Sequence, residues 1–219
     1  MGYILNIETA TKNCSVSIAK NGETILYKQI AEQGYSHAEK LHIFIEELLS
    51  EARISSKDLI AIAVSQGPGS YTGLRIGVSA AKGLCYALEI PLISIDTLLV
   101  LANQVKQTDG LIVPMIDARR MEVYSAIFNS EKEKVREVQA EILTEESFSN
   151  LSEKVYFIGD SNEKAKTILS NSNFQFLDEI VYPSANEMSA ISFDKFQKNQ
   201  FEDVAYFEPY YLKDFMFAK

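Results

Sequence analysis

The sequence predicts an α/β protein made by using one βββαβα unit twice, each copy forming a lobe with a mixed sheet. Three observations predict it. Short apolar runs alternate with amphipathic helical stretches along the chain, and the order of elements seen in the first half starts again near Leu111. No low-complexity tract or Pro/Ser-rich linker interrupts the alternation.

Residues 3–7 are a short apolar run, expected as a buried strand. In 14–20, Val16 and Ile18 alternate with Ser15, Ser17 and Ala19, and Asn21-Gly22 follows. That pair suits a tight hairpin turn, whose central positions need positive φ. Residues 23–30 make the return strand. Over 36–53, Leu41, Phe44, Ile45, Leu48, Leu49 and Ala52 fall on one helical face. Residues 59–64 form a strand, a Gly/Pro loop follows, and a helix runs over 72–88. A strand at 91–95 and a helix at 98–105 complete the unit. In the second copy, 111–116, 122–128 and 134–143 are the three strands. Thr144 reads as the N-cap of a helix to Leu151, with Glu145 and Glu146 in its first turn. A strand at 155–158, a turn at Gly159-Asp160-Ser161, a helix over 162–169 and a last amphipathic helix over 184–196 follow. Such duplication points to the actin/Hsp70/sugar-kinase architecture. The expected lobes are 1–104 and 105–219, divided near the polar stretch 104–110.

A hydrophobic fraction of 47% supplies a real core and excludes wholesale disorder. Lys+Arg is 21 against Asp+Glu 30, a formal charge of −9. A field of that sign repels RNA and DNA, so a basic partner is expected to do any gripping of nucleic acid. Cys14 and Cys85 are far apart and outside any C-x-x-C spacing, which argues against a disulfide scaffold or a zinc module. The N-terminus has no basic n-region, and no apolar run approaches a bilayer span. A cytoplasmic chain without membrane contact is the expectation.

The most informative stretch is 64–84, which leaves a strand, turns through Gly67-Pro68-Gly69-Ser70 and enters a helix. Ser70 is the expected N-cap, with Thr72 the alternative. Neither the Walker pattern nor G-x-G-x-x-G is present, because Leu74 and Arg75 follow Gly73. Gly73, Gly77 and Ala81 recur every four residues inside the helix. Glycine there costs about 1 kcal/mol against alanine. Something must therefore approach this helix closely: its own lobe, a second subunit or a ligand.

The segments GPGSYTGLRIGVSAAKGL, ILNIETA, PMIDARRMEVYSAIF and Pro209-Tyr210-Tyr211-Leu212-Lys213 resemble the bacterial TsaB (YeaZ-type) family. The likeness is strongest over 64–84 and 113–128. The resemblance implies a non-catalytic subunit in making threonylcarbamoyladenosine (t6A) at adenosine 37 of tRNA. Its implied partners are a TsaD-type catalytic subunit and a TsaE-type ATPase, with tRNA met only through the complex and a homodimer formed when the chain is alone. Pairing would use the helices over 36–53 and 72–88. The interface carried over comprises His37, Leu41, Leu48, Tyr71, Leu74, Arg75, Gly77, Val78 and Ala81.

The residues themselves offer no catalytic, cofactor or metal set. His37 and His42 are five apart, about 140° around a helix, and make a poor chelating pair. The hairpins that would meet phosphate read Glu8-Thr9-Ala10-Thr11-Lys12-Asn13, without glycine, and Asp117-Ala118-Arg119-Arg120, with two bulky cations. The TsaB resemblance would favour Asp where Glu8 stands. No H-E-x-x-H or G-x-S-x-G supports a peptidase. The tail aromatics Tyr206, Phe207, Tyr210, Tyr211, Phe215 and Phe217 read either as a terminus closing onto the core or as an RNA-stacking surface. The alternative function, an ATP-dependent kinase or ATPase, rests on fold analogy.

Overall fold

Two five-stranded sheets of matching topology carry the fold. The structure is a computed structural model and describes residues 2–31, 37–107 and 109–213. The first sheet contains β1 (Tyr3–Glu8), β2 (Asn13–Lys20), β3 (Glu23–Ala31), β4 (Leu59–Gly67) and β5 (Leu92–Asp96), in the order β3-β2-β1-β4-β5. The first three strands pair antiparallel, whereas β4 and β5 join parallel after the crossover helices α1 (His37–Glu51) and α2 (Tyr71–Leu88). Helix α3 (Thr97–Ala102) follows. The second sheet contains β6 (Leu111–Asp117), β7 (Glu122–Phe128), β8 (Lys134–Ile142), β9 (Val155–Ile158) and β10 (Phe174–Phe176). Its order, β10-β9-β6-β7-β8, is that of the first sheet read from the other edge. The predicted duplication is present. Only β10 goes unannounced in the sequence, being too short to show a period.

The chain divides into two compact units: residues 1–97 with 183–219, and residues 98–182. This differs from the expected lobe over 105–219, and the reason lies in β1 and β2. One face of these strands is apolar. Leu5, Ile7, Cys14, Val16 and Ile18 pack against Leu41, Leu48, Val78, Ala81 and Cys85 of α1 and α2. The other face carries Asn6, Ser15 and Ser17, all buried, and buried polar groups need partners. Residues 183–197 supply them. Asn13 Nδ2 donates to Pro183 O (2.9 Å), Ser17 Oγ donates to Ala185 O (2.7 Å), and the Ala185 N–H donates to Ser15 Oγ (3.0 Å). This segment is a 3-10 turn (Ala185–Met188) running into α5 (Ser189–Gln197), where one continuous helix is predicted.

Beyond α5 the chain forms a strap along the first unit. The Glu202 N–H donates to Leu92 O (2.9 Å), Lys82 Nζ donates to Ala205 O (3.1 Å) and Phe207 O (2.9 Å), and the Tyr210 N–H donates to Gln66 O (2.7 Å). Phe207 packs on the core while Tyr206, Tyr210 and Tyr211 stay exposed, so the strap follows the core-closing reading in part. Ser36, Phe215, Phe217 and Lys219 lie outside the described residues.

Asn21 and Gly22 both have positive φ (54° and 85°), as the hairpin signal requires. The helix expected after Thr144 is instead a series of turns. Phe148 takes φ 62°, which no continuing helix allows, and its ring meets Phe157 edge-on at 5.3 Å. Tertiary packing of one aromatic overrides the capping signal. The helix predicted over 162–169 is likewise cut to α4 (Asn162–Lys166). Among the described residues no helix is long and apolar enough to cross a membrane.

Candidate functional site

The hairpin after β1 is pressed against the start of α2. Thr9 and Ala10 are wholly buried. The Thr9 hydroxyl donates to Gly73 O (2.8 Å), and the Ser70 N–H donates to Ala10 O (2.7 Å). Ser70 is the N-cap of α2, its Oγ accepting from the Gly73 N–H (3.3 Å). A Cβ at Gly69 would lie 2.3 Å from Ala10 O, one at Gly73 2.1 Å from Thr9 O, and one at Gly77 2.2 Å from Thr9 Oγ1. The glycine repeat is thereby explained: it lets α2 lie directly on the hairpin of its own unit. The contact also takes up the Ser70 N–H, and the cap the Gly73 N–H, two of the backbone donors a phosphate would otherwise find at a helix start.

Glu8 is enclosed in this contact. Its Oε1 accepts from the Ala10 N–H (2.7 Å), while Oε2 is buried without a hydrogen-bond partner. Burial pushes the carboxyl up to about 7, opposed by the Ala10 N–H and by the Ser65 hydroxyl. Ser65 Oγ is near enough to act on the charge yet stands outside hydrogen-bond geometry. His37 is also buried. Its Nε2–H donates to Thr11 O (2.6 Å), the tautomer following from a carbonyl that can only accept. His42 is exposed, and no cluster of metal-ligating side chains occurs among the described residues. Burial pushes the Cys14 thiol up to about 11, with the Glu8 charge adding to it, and the Cys85 thiol up to about 12. Neither is poised as a nucleophile.

Of the nine interface residues carried over by resemblance, seven face the chain's own interior. Leu41, Leu48, Leu74, Gly77, Val78 and Ala81 are buried in the first unit, and His37 is tied to the hairpin. Only Tyr71 and Arg75 reach the surface. The Arg75 guanidinium lies 4.1 Å over the Tyr71 ring, and its Nε–H donates to the Tyr211 hydroxyl (3.4 Å). The sequence shows one seam of α2, and that seam points inward. The outward positions are Thr72, Ser79, Gly83, Tyr86 and Ala87, with Ile76, Ala80 and Leu84 half-buried beside them. A Cβ at Gly83 would meet nothing within 4 Å. Helix α1, in contact with α2, turns His42, Ile43 and Glu46 outward.

The second unit keeps its hairpin open to solvent. Arg119 and Arg120 occupy the tip with φ 75° and 52°. The left-handed region costs an arginine about 1–2 kcal/mol. The Ala118 N–H donates to Glu122 O and the Glu122 N–H to Arg119 O, both at 3.1 Å. Lys164 Nζ pins the base, reaching the Asp117 carboxylate, Arg120 O (3.0 Å) and Glu122 O (2.6 Å).

Comparison with known proteins places these features. A family model described as TsaD, tRNA N6-adenosine threonylcarbamoyltransferase, matches residues 25–215. The tRNA threonylcarbamoyladenosine biosynthesis protein TsaB of Escherichia coli is 28% identical over 220 aligned residues, spanning 96% of this chain and 94% of that protein. Its Bacillus subtilis namesake is 35% identical over 125 residues, 57% of this chain and 54% of that one. The solved structure of YeaZ from Pseudomonas aeruginosa superposes with a TM-score of 0.85 at 22% identity, covering 97% of this chain and all of that one. With the motif at 64–84 and the duplicated sheets, these matches show that the chain belongs to the tRNA N6-adenosine threonylcarbamoyltransferase family, among its TsaB (YeaZ-type) members, whose work is threonylcarbamoyladenosine biosynthesis.

Proposed function

We propose that this chain is a non-catalytic subunit that supports threonylcarbamoyl transfer to N6 of adenosine 37 in tRNA by pairing with a TsaD-type catalytic relative, a TsaE-type ATPase joining the complex. The observation that carries the reading is the closed first hairpin. Thr9 and Ala10 are buried under α2, so the place where a kinase of this architecture would receive phosphate is filled by the chain's own backbone.

The pairing surface in this proposal is the outer face of α2 with α1 beside it. Ser79, Ala80, Gly83 and Ala87 are small, which lets a second helix approach closely, and Ile43, Ile76 and Leu84 supply apolar contact. Arg75, stacked on Tyr71, stands at its edge as an anchor of the type that dominates interfaces. The same face would join two copies when the chain is alone.

The test is the double substitution Ser79→Glu with Gly83→Glu, at two exposed positions that leave the core untouched. The expected result is a folded chain that neither dimerises in sedimentation nor co-elutes with the catalytic subunit, and a host whose tRNA lacks t6A by nucleoside mass spectrometry. Pairing that survives would sink the surface assignment. Micromolar binding of Mg-ATP to the isolated chain in calorimetric titration would favour the kinase reading.

A further inference from the structure

We propose that the tip of the β6–β7 hairpin, Arg119 and Arg120, grips phosphate groups of the tRNA backbone directly. The proposal rests on the role in tRNA modification but not on the α1/α2 pairing surface.

Both arginines are exposed, and among the described residues no ion pair or hydrogen bond engages either guanidinium. Two acids at the base of the hairpin are already engaged there. The Asp117 carboxylate accepts from Lys164 Nζ and from the Arg119 N–H (3.3 Å), and Asp160 Oδ1 accepts from the Asp117 N–H (2.8 Å). Asp117 and Asp160 thus serve the base of the hairpin, not the guanidinium groups at its tip. Two guanidinium forks, each able to hold a phosphate through two N–H donors, project from one rigid turn.

The backbone adds an independent observation. Two successive left-handed residues are a place for glycine, asparagine or aspartate, and arginine is a poor choice for the turn itself. The turn is nevertheless held firmly, by Lys164 on the Arg120 and Glu122 carbonyls and by the Leu143 N–H on Met121 O (2.9 Å). Side chains kept at a cost to the local backbone point to a use outside it. Net charge says what kind of use. On a chain of −9 the general field repels RNA, so contact must come from a small local site. A protein partner would be met through an apolar centre, and only Ala118 and the half-buried Met121 flank the tip. Adjacent like charges instead match the repeating charge of a phosphodiester chain.

The experiment measures binding of the full-length chain to a fluorescently labelled unmodified tRNA by anisotropy, alone and with the catalytic subunit, between 50 and 200 mM salt. Two variants are compared, Arg119→Gly with Arg120→Gly, and Arg119→Lys with Arg120→Lys. The glycine pair suits the turn, so its melting temperature should equal or exceed the parent's. We expect it to weaken binding about tenfold at the lowest salt and to flatten log K against log salt by about 1.4, at roughly 0.7 for each lost contact to single-stranded phosphate. The lysine pair should keep most of the slope. An unchanged affinity and slope in the glycine pair overturns the proposal, as does failure of the parent to bind tRNA in either form. Loss of affinity for the catalytic subunit with tRNA binding intact also overturns it and assigns the tip to a protein partner. None of these readouts depends on Ser79 or Gly83, so pairing and RNA contact fail separately.

Discussion

Alanine at Gly73 is expected to destabilise the protein by roughly 3 kcal/mol or more, while alanine at Gly83 in the same helix stabilises it by up to about 1 kcal/mol. At Gly73 the new Cβ would sit 2.1 Å from the Thr9 carbonyl oxygen, a separation real atoms do not adopt. Relief requires α2 and the β1–β2 hairpin to part. That forfeits the Thr9-to-Gly73 hydrogen bond, worth about 1 kcal/mol, and loosens a core in which Leu74 and Val78 are buried. Gly83 faces open space, so there only the helix propensity of alanine acts. Urea denaturation of the two variants reads the difference directly. Equal midpoints would mean that the hairpin does not bear on the helix. For the same reason Gly77→Leu with Leu74→Glu, which an outward-facing seam would tolerate as a folded monomer, is expected to unfold the first unit. It places a leucine against Thr9 and a carboxylate in the core.

Glu8→Gln is expected to stabilise the protein above neutral pH by roughly 3 kcal/mol. The folded-state carboxyl titrates near 7 against an ordinary value of 4.5, because burial penalises its charge. At about 1.4 kcal/mol per tenfold change in proton affinity, the penalty is somewhat above 3 kcal/mol. Its sign follows from linkage. The native state holds the proton more tightly than the unfolded chain, so stability is greatest below about pH 4.5, falls as pH rises toward 7, and is lower by a constant amount beyond. Glutamine keeps the oxygen that accepts from the Ala10 N–H and carries no charge. The difference between variant and parent should vanish at pH 4.5 and reach its plateau near pH 8. A difference that stays flat from pH 5 to 8 would show that the Glu8 carboxyl is not raised above its ordinary value in the folded chain.

Periodicity made the fold legible, because each strand and crossover helix must bury one face. The Asn21-Gly22 turn and the Ser70 cap were equally plain, each depending on local chemistry alone. What the sequence hid were choices made across long separations. Gly73, Gly77 and Ala81 announce a close approach, but nothing in one sequence says that Thr9 is what approaches. A helix with apolar residues on more than one side does not declare which side faces inward, and the carried-over set of Leu41, Leu48, Leu74, Val78 and Ala81 proved to be core. The return of residues 183–219 to the first unit was hidden too, since its signal is a set of unremarkable serines on β1 and β2 that need partners.

That return has a consequence for synthesis. A ribosome makes the first 97 residues, then the 85 residues of the second unit, and only then the segment that seats on Asn6, Ser15 and Ser17. At about 5–20 residues per second, the first sheet waits roughly 4–17 s with one polar face unpaired. The nascent chain therefore presents a finished insertion inside an unfinished host. Chaperones holding the early segment, or a truncation that removes residues 183–197, should leave the second unit protected from protease while the first remains open to cleavage.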